Sequence, residues 1–135
     1  MEDINTVKLT SINFKEDGKG GLSSVCCNYS NGLKSPIFEK ANYNHQFPET
    51  IEFTDITKIR KVFTSLDSAT WRYLTSIRFL DRNEDEVGVY NPRNYTYPEC
   101  EQVIKENEEL FGVYGVKGKK KYFTTFGFIV KVRND

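Results

Sequence analysis

The alternation of apolar and polar residues along the chain predicts a protein built from β-strands. Three segments repeat nearly the same strand pattern: Leu22-Ser-Ser-Val25, Leu74-Thr-Ser-Ile77-Arg-Phe79 and Phe123-Thr-Thr-Phe126-Gly-Phe128. Each copy lies beside a turn that contains glycine or several polar residues, and the copies are roughly fifty residues apart. Repeats at such a spacing indicate one supersecondary unit used several times around a shared core.

The same period-two pattern predicts about ten to twelve short strands and no convincing helix. Turn signals such as Asn31-Gly32 and Asn91-Pro92 separate the strands, and Glu108 and Glu109 are assigned to a turn. The predicted strands lie at 7–15, 22–29, a weak one near 37–38, two within 51–63, and then 71–80, 87–90, 100–105, 110–116 and 122–132.

Length and composition predict one soluble domain over residues 1–135. The chain has 135 residues, and 10 Phe and 8 Tyr against a single Trp and a single Met favour sheets over helical bundles. No apolar run is long enough to cross a bilayer, and the first residues lack the pattern of a secretory signal. We therefore expect a cytoplasmic protein with no membrane partner.

The charge distribution argues against nucleic acid as a partner. The formal net charge is zero, whereas phosphate binding normally leaves a basic excess. Acidic residues are nevertheless concentrated in 81–109, and basic residues in the C-terminal segment at Lys117, Lys119, Lys120, Lys121, Lys131 and Arg133. Ordinary solvated turns and protection of strand edges explain this distribution without any partner.

The residue types that carry catalysis or bind metals are scarce. Cys26 and Cys27 are sequence neighbours expected on opposite faces of a strand, so we expect free thiols there and at Cys100. The single histidine, His45, has no recognisable partner, and no zinc spacing occurs. The sequence therefore predicts a protein that is not an enzyme and has no cofactor.

The run Asp81-Arg-Asn83-Glu-Asp85 imitates the start of a calcium loop. Glu86 stands where the sharp-turn glycine belongs, and Pro92 stands at the position of the bidentate acid. A charged hairpin turn is the better interpretation.

Several of these strand pairs together resemble the jacalin-related β-prism family. The sharpest stretch is Glu109-Leu-Phe-Gly-Val-Tyr-Gly115 followed by Phe126-Gly-Phe-Ile-Val130, which is similar to that family's closing hairpin. The Leu74 and Leu22 repeats, with the strands that follow them, look like the equivalent hairpins. The resemblance implies an all-β, β-prism-like fold of three antiparallel sheets with about four strands each and a three-fold internal repeat.

Many members of that family bind sugars, through a glycine-rich N-terminal loop and an aspartate in a Gly-x-x-x-Asp pattern of the closing loop. This chain departs from the pattern twice. It begins after the position of the family's glycine-rich strand, and its closing loop at 116–123 contains Gly118 but no acid. The lysines at 119–121 follow the glycine instead, and ammonium groups hold carboxylates, sulfates or phosphates rather than neutral hydroxyls.

Two hypotheses about function follow. The first is a non-catalytic interaction or structural module of a larger intracellular assembly, which binds an acidic protein surface and is cytoplasmic, at cytoskeletal or ciliary structures. The alternative is a lectin for an anionic or unusual glycan, with an aromatic ring stacked on the sugar. Trp71 has a second interpretation, since an aromatic residue that starts a strand more often packs against its sheet. The candidate binding residues are Lys117, Gly118, Lys119, Lys120, Lys121, Tyr122, Tyr114 and Trp71.

Overall fold

A computed structural model describes residues 6–16, 22–37, 49–66, 74–91, 98–117 and 123–133. These residues form ten β-strands and one short 3₁₀ turn at Ile56–Lys58, which confirms the predicted all-β class. The predicted and observed strands share their locations and differ by a few residues at their ends. The strands are β1 (Leu9–Glu16), β2 (Leu22–Tyr29), β3 (Lys34–Ile37), β4 (Glu49–Glu52), β5 (Lys61–Leu66), β6 (Leu74–Leu80), β7 (Glu86–Tyr90), β8 (Glu99–Val103), β9 (Glu108–Lys117) and β10 (Phe123–Val132).

The strands form three antiparallel sheets, each built around one central hairpin. The first sheet has the order β3-β2-β1-β4 and the second has the order β7-β6-β5-β8. The third consists of the hairpin β9–β10 within the described residues, so four strands are present in two of the three sheets. The three repeats seen in the sequence lie in β2, β6 and β10, and each is the second strand of its central hairpin. The three-fold internal repeat is thereby confirmed.

The core lies where the inner faces of the three sheets meet. Phe53, which follows β4, Phe79 of β6 and Phe128 of β10 bring one aromatic ring from each of the three units to the centre. The Phe79 ring meets the Phe53 ring edge-on with centroids 5.2 Å apart, and it meets the Phe128 ring edge-on at 5.6 Å. Edge-to-face packing of this kind adds to the stabilisation from buried apolar area.

The antiparallel registers place the strand ends of all three sheets at two opposite ends of the prism. One end, here called the turn end, carries the described turns at 30–33, 54–60, 81–85 and 104–107. Contacts between the sheets hold this end together: Lys8 before β1 reaches Glu109 at the start of β9, and Arg60 before β5 donates from its guanidinium to the carbonyl of Glu108. The other end, here called the loop end, carries the strand ends at 16, 22, 37, 49, 66, 74, 90, 99, 117 and 123.

Arg60 fastens the turn end of the prism. Its side chain is buried, and the guanidinium donates to the backbone carbonyls of Thr57 at 2.7 Å and Lys105 at 2.5 Å. It also donates to the Glu108 carbonyl at 3.1 Å. Because the Thr57 carbonyl belongs to the 3₁₀ turn and the Lys105 carbonyl to the connection between β8 and β9, one side chain links these two turns.

The acidic run after β6 forms a hairpin turn, as predicted. One carboxylate oxygen of Asp81 accepts the backbone N–H groups of Asn83 at 2.8 Å and Asp85 at 3.0 Å. Glu84 adopts a positive φ of 64°, which closes the turn. The Asp81 carboxylate therefore stabilises the turn by accepting hydrogen bonds from its backbone.

Basic residues from other strands compensate much of the acidic segment. Arg78 makes a two-pronged contact with Glu99 at 2.7 and 2.8 Å and contacts Glu86 at 3.1 Å. Lys61 likewise pairs with Glu84 at 2.6 Å. Ion pairs within the second sheet thus account for Glu84, Glu86 and Glu99 among the acids in 81–109.

The assignment of Glu108 and Glu109 to a turn is wrong, because the structure starts β9 at Glu108. Glu109 is fully buried and lies between two lysines. Its carboxylate is 2.9 Å from the Lys8 ammonium and 3.3 Å from that of Lys131. A local sequence pattern cannot anticipate this triad, because Lys8 is 101 positions away in the chain.

The three cysteines are free thiols in different surroundings. Cys26 and Cys27 are both buried in β2, whereas Cys100 on β8 is exposed. Burial and the neighbouring Cys26 raise the pKa of the Cys27 thiol to about 12. The reactive thiolate is therefore suppressed at Cys27 near neutral pH.

We expect iodoacetamide at pH 8 to alkylate Cys100 rapidly and to leave Cys26 and Cys27 unmodified in the folded protein. Intact-mass analysis should show one adduct, and the same treatment in urea should show three. Alkylation of Cys26 or Cys27 at the rate of Cys100 would contradict the burial of β2.

The Cys27 thiol also makes stability depend on alkaline pH. Its pKa is raised in the folded state above the ordinary value of 9.0. The unfolded chain therefore loses this proton first, and the contribution to stability is fully present below pH 9 and is lost as the pH rises toward 12. Urea titrations at several pH values between 9 and 12 should show that the free energy of unfolding falls as the pH rises. In Cys27→Ala this fall with pH should be smaller.

Candidate ligand-binding end of the prism

Five chain segments join strand ends at the loop end. They are residues 17–21, 38–48, 67–73, 92–97 and 118–122, and they lie outside the described residues. Their attachment points are described, since each segment starts and finishes at strand ends that the sheet registers bring to this end. The topology thus brings the attachment points of all five segments to one end of the prism.

Together these segments are more basic and more aromatic than the rest of the chain. They contain seven Lys or Arg and three Asp or Glu, a net charge of +4 in a chain whose total is zero. They also contain eight of the 19 aromatic residues. Aromatic rings and cations together suit a ligand with flat apolar faces and negative groups.

Buried hydroxyl groups fix the strands from which the 67–73 segment leaves. Ser65 on β5 and Ser76 on β6 are paired across the strands, and their hydroxyls are hydrogen-bonded to each other. The Thr75 hydroxyl lies 3.1 Å from that of Ser65, and all three side chains are buried. A satisfied buried network of this kind holds the two strand ends in one arrangement.

The ring stack of Phe14 and Tyr90 supports the same end from the core. The two centroids are 4.7 Å apart, and both side chains are fully buried. Phe14 lies near the end of β1, and Tyr90 ends β7, so the stack joins the first and second sheets directly beneath the loop end.

Tyr114 is the one predicted binding residue whose side chain the structure describes. It lies on the outer face of β9 and is 52% exposed. Its ring crosses the partner strand at Gly127, where any added Cβ atom would overlap the ring. Gly127 therefore allows the Tyr114 ring to lie flat against the sheet with one face open to solvent.

The other predicted residues lie outside what the structure describes. Lys117 ends β9, but its side chain falls outside the described atoms, as do Gly118, Lys119, Lys120, Lys121, Tyr122 and Trp71. Their binding roles stay predictions. The hairpin β9–β10 places both attachment points of 118–122 at the loop end, and the hairpin β5–β6 does the same for 67–73, which contains Trp71.

The part of the chain that the structure describes offers no cluster of three His, Cys, Asp or Glu side chains that could hold a metal ion. Within the same ranges, no helix has the length and apolar character needed to span a membrane.

Comparison with solved structures identifies the fold. The crystal structure of PirB matches 95% of this chain and 30% of that chain, with a TM-score of 0.66 and 13% identity. The match to the crystal structure of lamprey immune protein covers 96% of this chain and 38% of that chain, with a TM-score of 0.65 and 15% identity. The match to Calystegia sepium agglutinin covers 98% of this chain and 87% of that chain, with a TM-score of 0.62 and 14% identity.

The chain spans about a third of the length of PirB and of lamprey immune protein, and most of the agglutinin. No protein-family model and no curated protein matches it. The three-sheet topology, the repeated hairpins and the match to the agglutinin agree with the resemblance seen in the sequence. The chain has the jacalin-related β-prism fold.

Proposed function

We propose that this protein is a non-catalytic carbohydrate-binding module and that its loop end binds an anionic glycan. The observation that carries the proposal is that five segments, together basic and aromatic in sequence, attach at one end of a lectin-like fold. The net charge of +4 on these five segments opposes binding of cationic ligands and favours carboxylate, sulfate or phosphate groups.

The residues of the segment between β9 and β10 also favour an anionic glycan. Residues 118–122 read Gly-Lys-Lys-Lys-Tyr, so this segment has three ammonium donors and no carboxylate acceptor. A neutral sugar needs acceptors as well as donors for its hydroxyls, whereas a sulfated or carboxylated sugar presents oxygen acceptors to the lysines. Tyr114 offers an open ring face on the adjoining strand.

The test is a glycan array that contains neutral, sulfated and sialylated sugars, probed with the whole chain at several salt concentrations. We expect saturable binding to anionic glycans that weakens as salt rises. Replacing Lys119, Lys120 and Lys121 by Gln should abolish this binding, and replacing Lys58 and Lys105 at the turn end by Gln should preserve it. Absence of anionic binding, or equal loss in both variants, would refute the proposal.

A protein-interaction role is the second candidate, and the lengths of the similar structures favour it. In PirB and in lamprey immune protein the matching region is about a third of a longer chain, so this fold occurs as one module among others. The same lysines suit an acidic protein surface. The intracellular assembly and the cytoplasmic, cytoskeletal or ciliary location stay predictions, as does a single domain over 1–135.

The two candidates separate in one pair of experiments. A silent glycan array, combined with stoichiometric capture of an acidic protein from cell extract, would favour the interaction module. Replacing Lys117 and the lysines at 119–121 by Glu should then weaken that capture without unfolding the domain. Unchanged capture would remove these residues from the interface.

A further inference from the structure

A pocket of about 380 Å³ lies at the turn end, opposite the strand ends to which the five segments attach. Its walls come from the first and third sheets: Tyr29 at the end of β2, the turn residue Leu33, Lys34 at the start of β3, and Phe111 of β9. Val7, which precedes β1, and the polar residues Asn31 and Ser35 complete them. The volume falls at the lower end of the range for small-molecule sites.

The aromatic part of this pocket is held in place. The rings of Tyr29 and Phe111 are tilted against each other with centroids 5.2 Å apart. The Tyr29 hydroxyl donates to the backbone carbonyl of Phe111 at 2.9 Å, which fixes the Tyr29 side chain to β9. The two rings therefore form a preorganised apolar wall, so binding of an apolar ligand costs little side-chain conformational entropy.

Leu33 is the exposed apolar residue of the pocket. Its side chain is 66% exposed on the 30–33 turn, more than any other large hydrophobic residue among those described. Single exposed leucines are ordinary, but this one lines a cavity beside two aromatic rings. A ligand in the pocket would cover it and gain that apolar contact.

The charges beside the pocket are mainly positive. Lys34 lines the pocket, and the ammonium group of Lys131 lies 5.0 Å from the centroid of the Phe111 ring. Lys8 is next to Val7 in the chain, and the Glu109 carboxylate lies between Lys8 and Lys131. The Lys8–Glu109–Lys131 triad has one more ammonium group than carboxylate groups, and Lys34 adds another positive charge at the wall of the cavity.

We propose that this pocket binds a free small organic anion that carries an aromatic ring or a short alkyl chain and a carboxylate or sulfonate group. The apolar part would contact Tyr29, Phe111 and Leu33, and the anionic group would lie toward Lys34. This binding site is separate from the proposed glycan site, because its residues belong to the turn end.

The test uses anilinonaphthalene sulfonate, a fluorescent aromatic sulfonate, titrated into the folded 135-residue chain. We expect saturable binding of one equivalent and competition by free decanoate. Leu33→Asp should weaken binding about tenfold through lost apolar contact, and Lys34→Glu about fivefold through lost attraction. Both residues are exposed, so neither change should unfold the protein.

Matched substitutions outside the pocket serve as controls. Val103→Asp places the same charge at an apolar residue that is 55% exposed on β8, and Lys105→Glu reverses an exposed turn-end lysine. Both should bind the probe as the wild type does. Non-saturable binding, or equal weakening in the control variants, would overturn the proposal.

Two further measurements separate this site from other sources of binding. We expect the protein not to sediment with phosphatidylglycerol vesicles. If it binds the vesicles and free decanoate does not displace it, its ligand is a membrane surface and the proposed pocket site is wrong. Replacing Lys119, Lys120 and Lys121 by Gln should leave probe binding unchanged. Loss of probe binding in that variant would show that the probe binds at the loop end and would refute the pocket proposal. This conclusion does not depend on the result of the glycan array.

Discussion

Replacing Phe79 by Ala is expected to lower the free energy of unfolding by about 3–5 kcal/mol. Phe79 is fully buried, and its ring packs edge-on against Phe53 and Phe128. Each of these rings belongs to a different structural unit of the prism, so the substitution opens a cavity where all three meet. The surrounding strands are hydrogen-bonded within their sheets and cannot move in to fill it. Urea titration monitored by circular dichroism measures the loss.

Tyr114→Ala is the matched control for Phe79→Ala. It also removes an aromatic ring from the middle of a strand, but that ring is 52% exposed and lies on the outer face. We expect a loss of roughly 1 kcal/mol, because only part of the ring's apolar area is withdrawn from water in the folded state. If the two variants lost similar amounts, the aromatic centre would not be the core of the prism.

Replacing Glu109 by Gln is expected to destabilise the protein by about 3 kcal/mol or more. The carboxylate is fully buried between Lys8 at 2.9 Å and Lys131 at 3.3 Å, and Lys131 is itself only 9% exposed. The amide has the same shape but no charge, so Lys131 would keep its positive charge in a poorly hydrated place without the carboxylate beside it. Chemical denaturation at neutral pH measures the difference.

Glu106→Gln is the control, because it makes the same chemical change in an exposed ion pair. Glu106 and Arg82 are 2.7 Å apart, and their side chains are 72% and 73% exposed. A solvated pair of this kind contributes at most about 1 kcal/mol. The double change Glu109→Met with Lys131→Met should recover much of the loss, since it removes both buried charges together. A Glu109→Gln variant as stable as Glu106→Gln would show that the buried triad is not what joins β9 and β10 to the start of the chain.

The strands were predictable because their apolar periodicity is local. In β2 the bounds at Leu22 and Tyr29 agree with the prediction, since an unambiguous turn signal follows the strand at Asn31-Gly32. The Asp81 turn was predictable for the same reason, because its hydrogen bonds run to residues two and four positions ahead.

The errors and omissions concern groups whose partners are far apart in the chain. Glu109 looked like a turn residue because polar neighbours precede it, yet Lys8 and Lys131 make it a buried strand residue. No sequence pattern predicted the structural role of Arg60, although its guanidinium donates hydrogen bonds to carbonyls about 45 positions further along the chain. The pocket between Tyr29 and Phe111 was also not foreseen, because it exists only where the first and third sheets meet.

The sequence by itself determined that this protein is all-β, that three similar hairpins build it, and that it resembles the jacalin-related β-prism. These properties depend on residues close together in the chain, whose alternation fixes which face of each strand is buried. Only the tertiary structure decided that Trp71 and the lysines at 119–121 belong to segments attached at one end, and that a pocket lies at the other. Strand register and sheet packing set those placements, because they bring together strand ends that the sequence keeps some fifty residues apart.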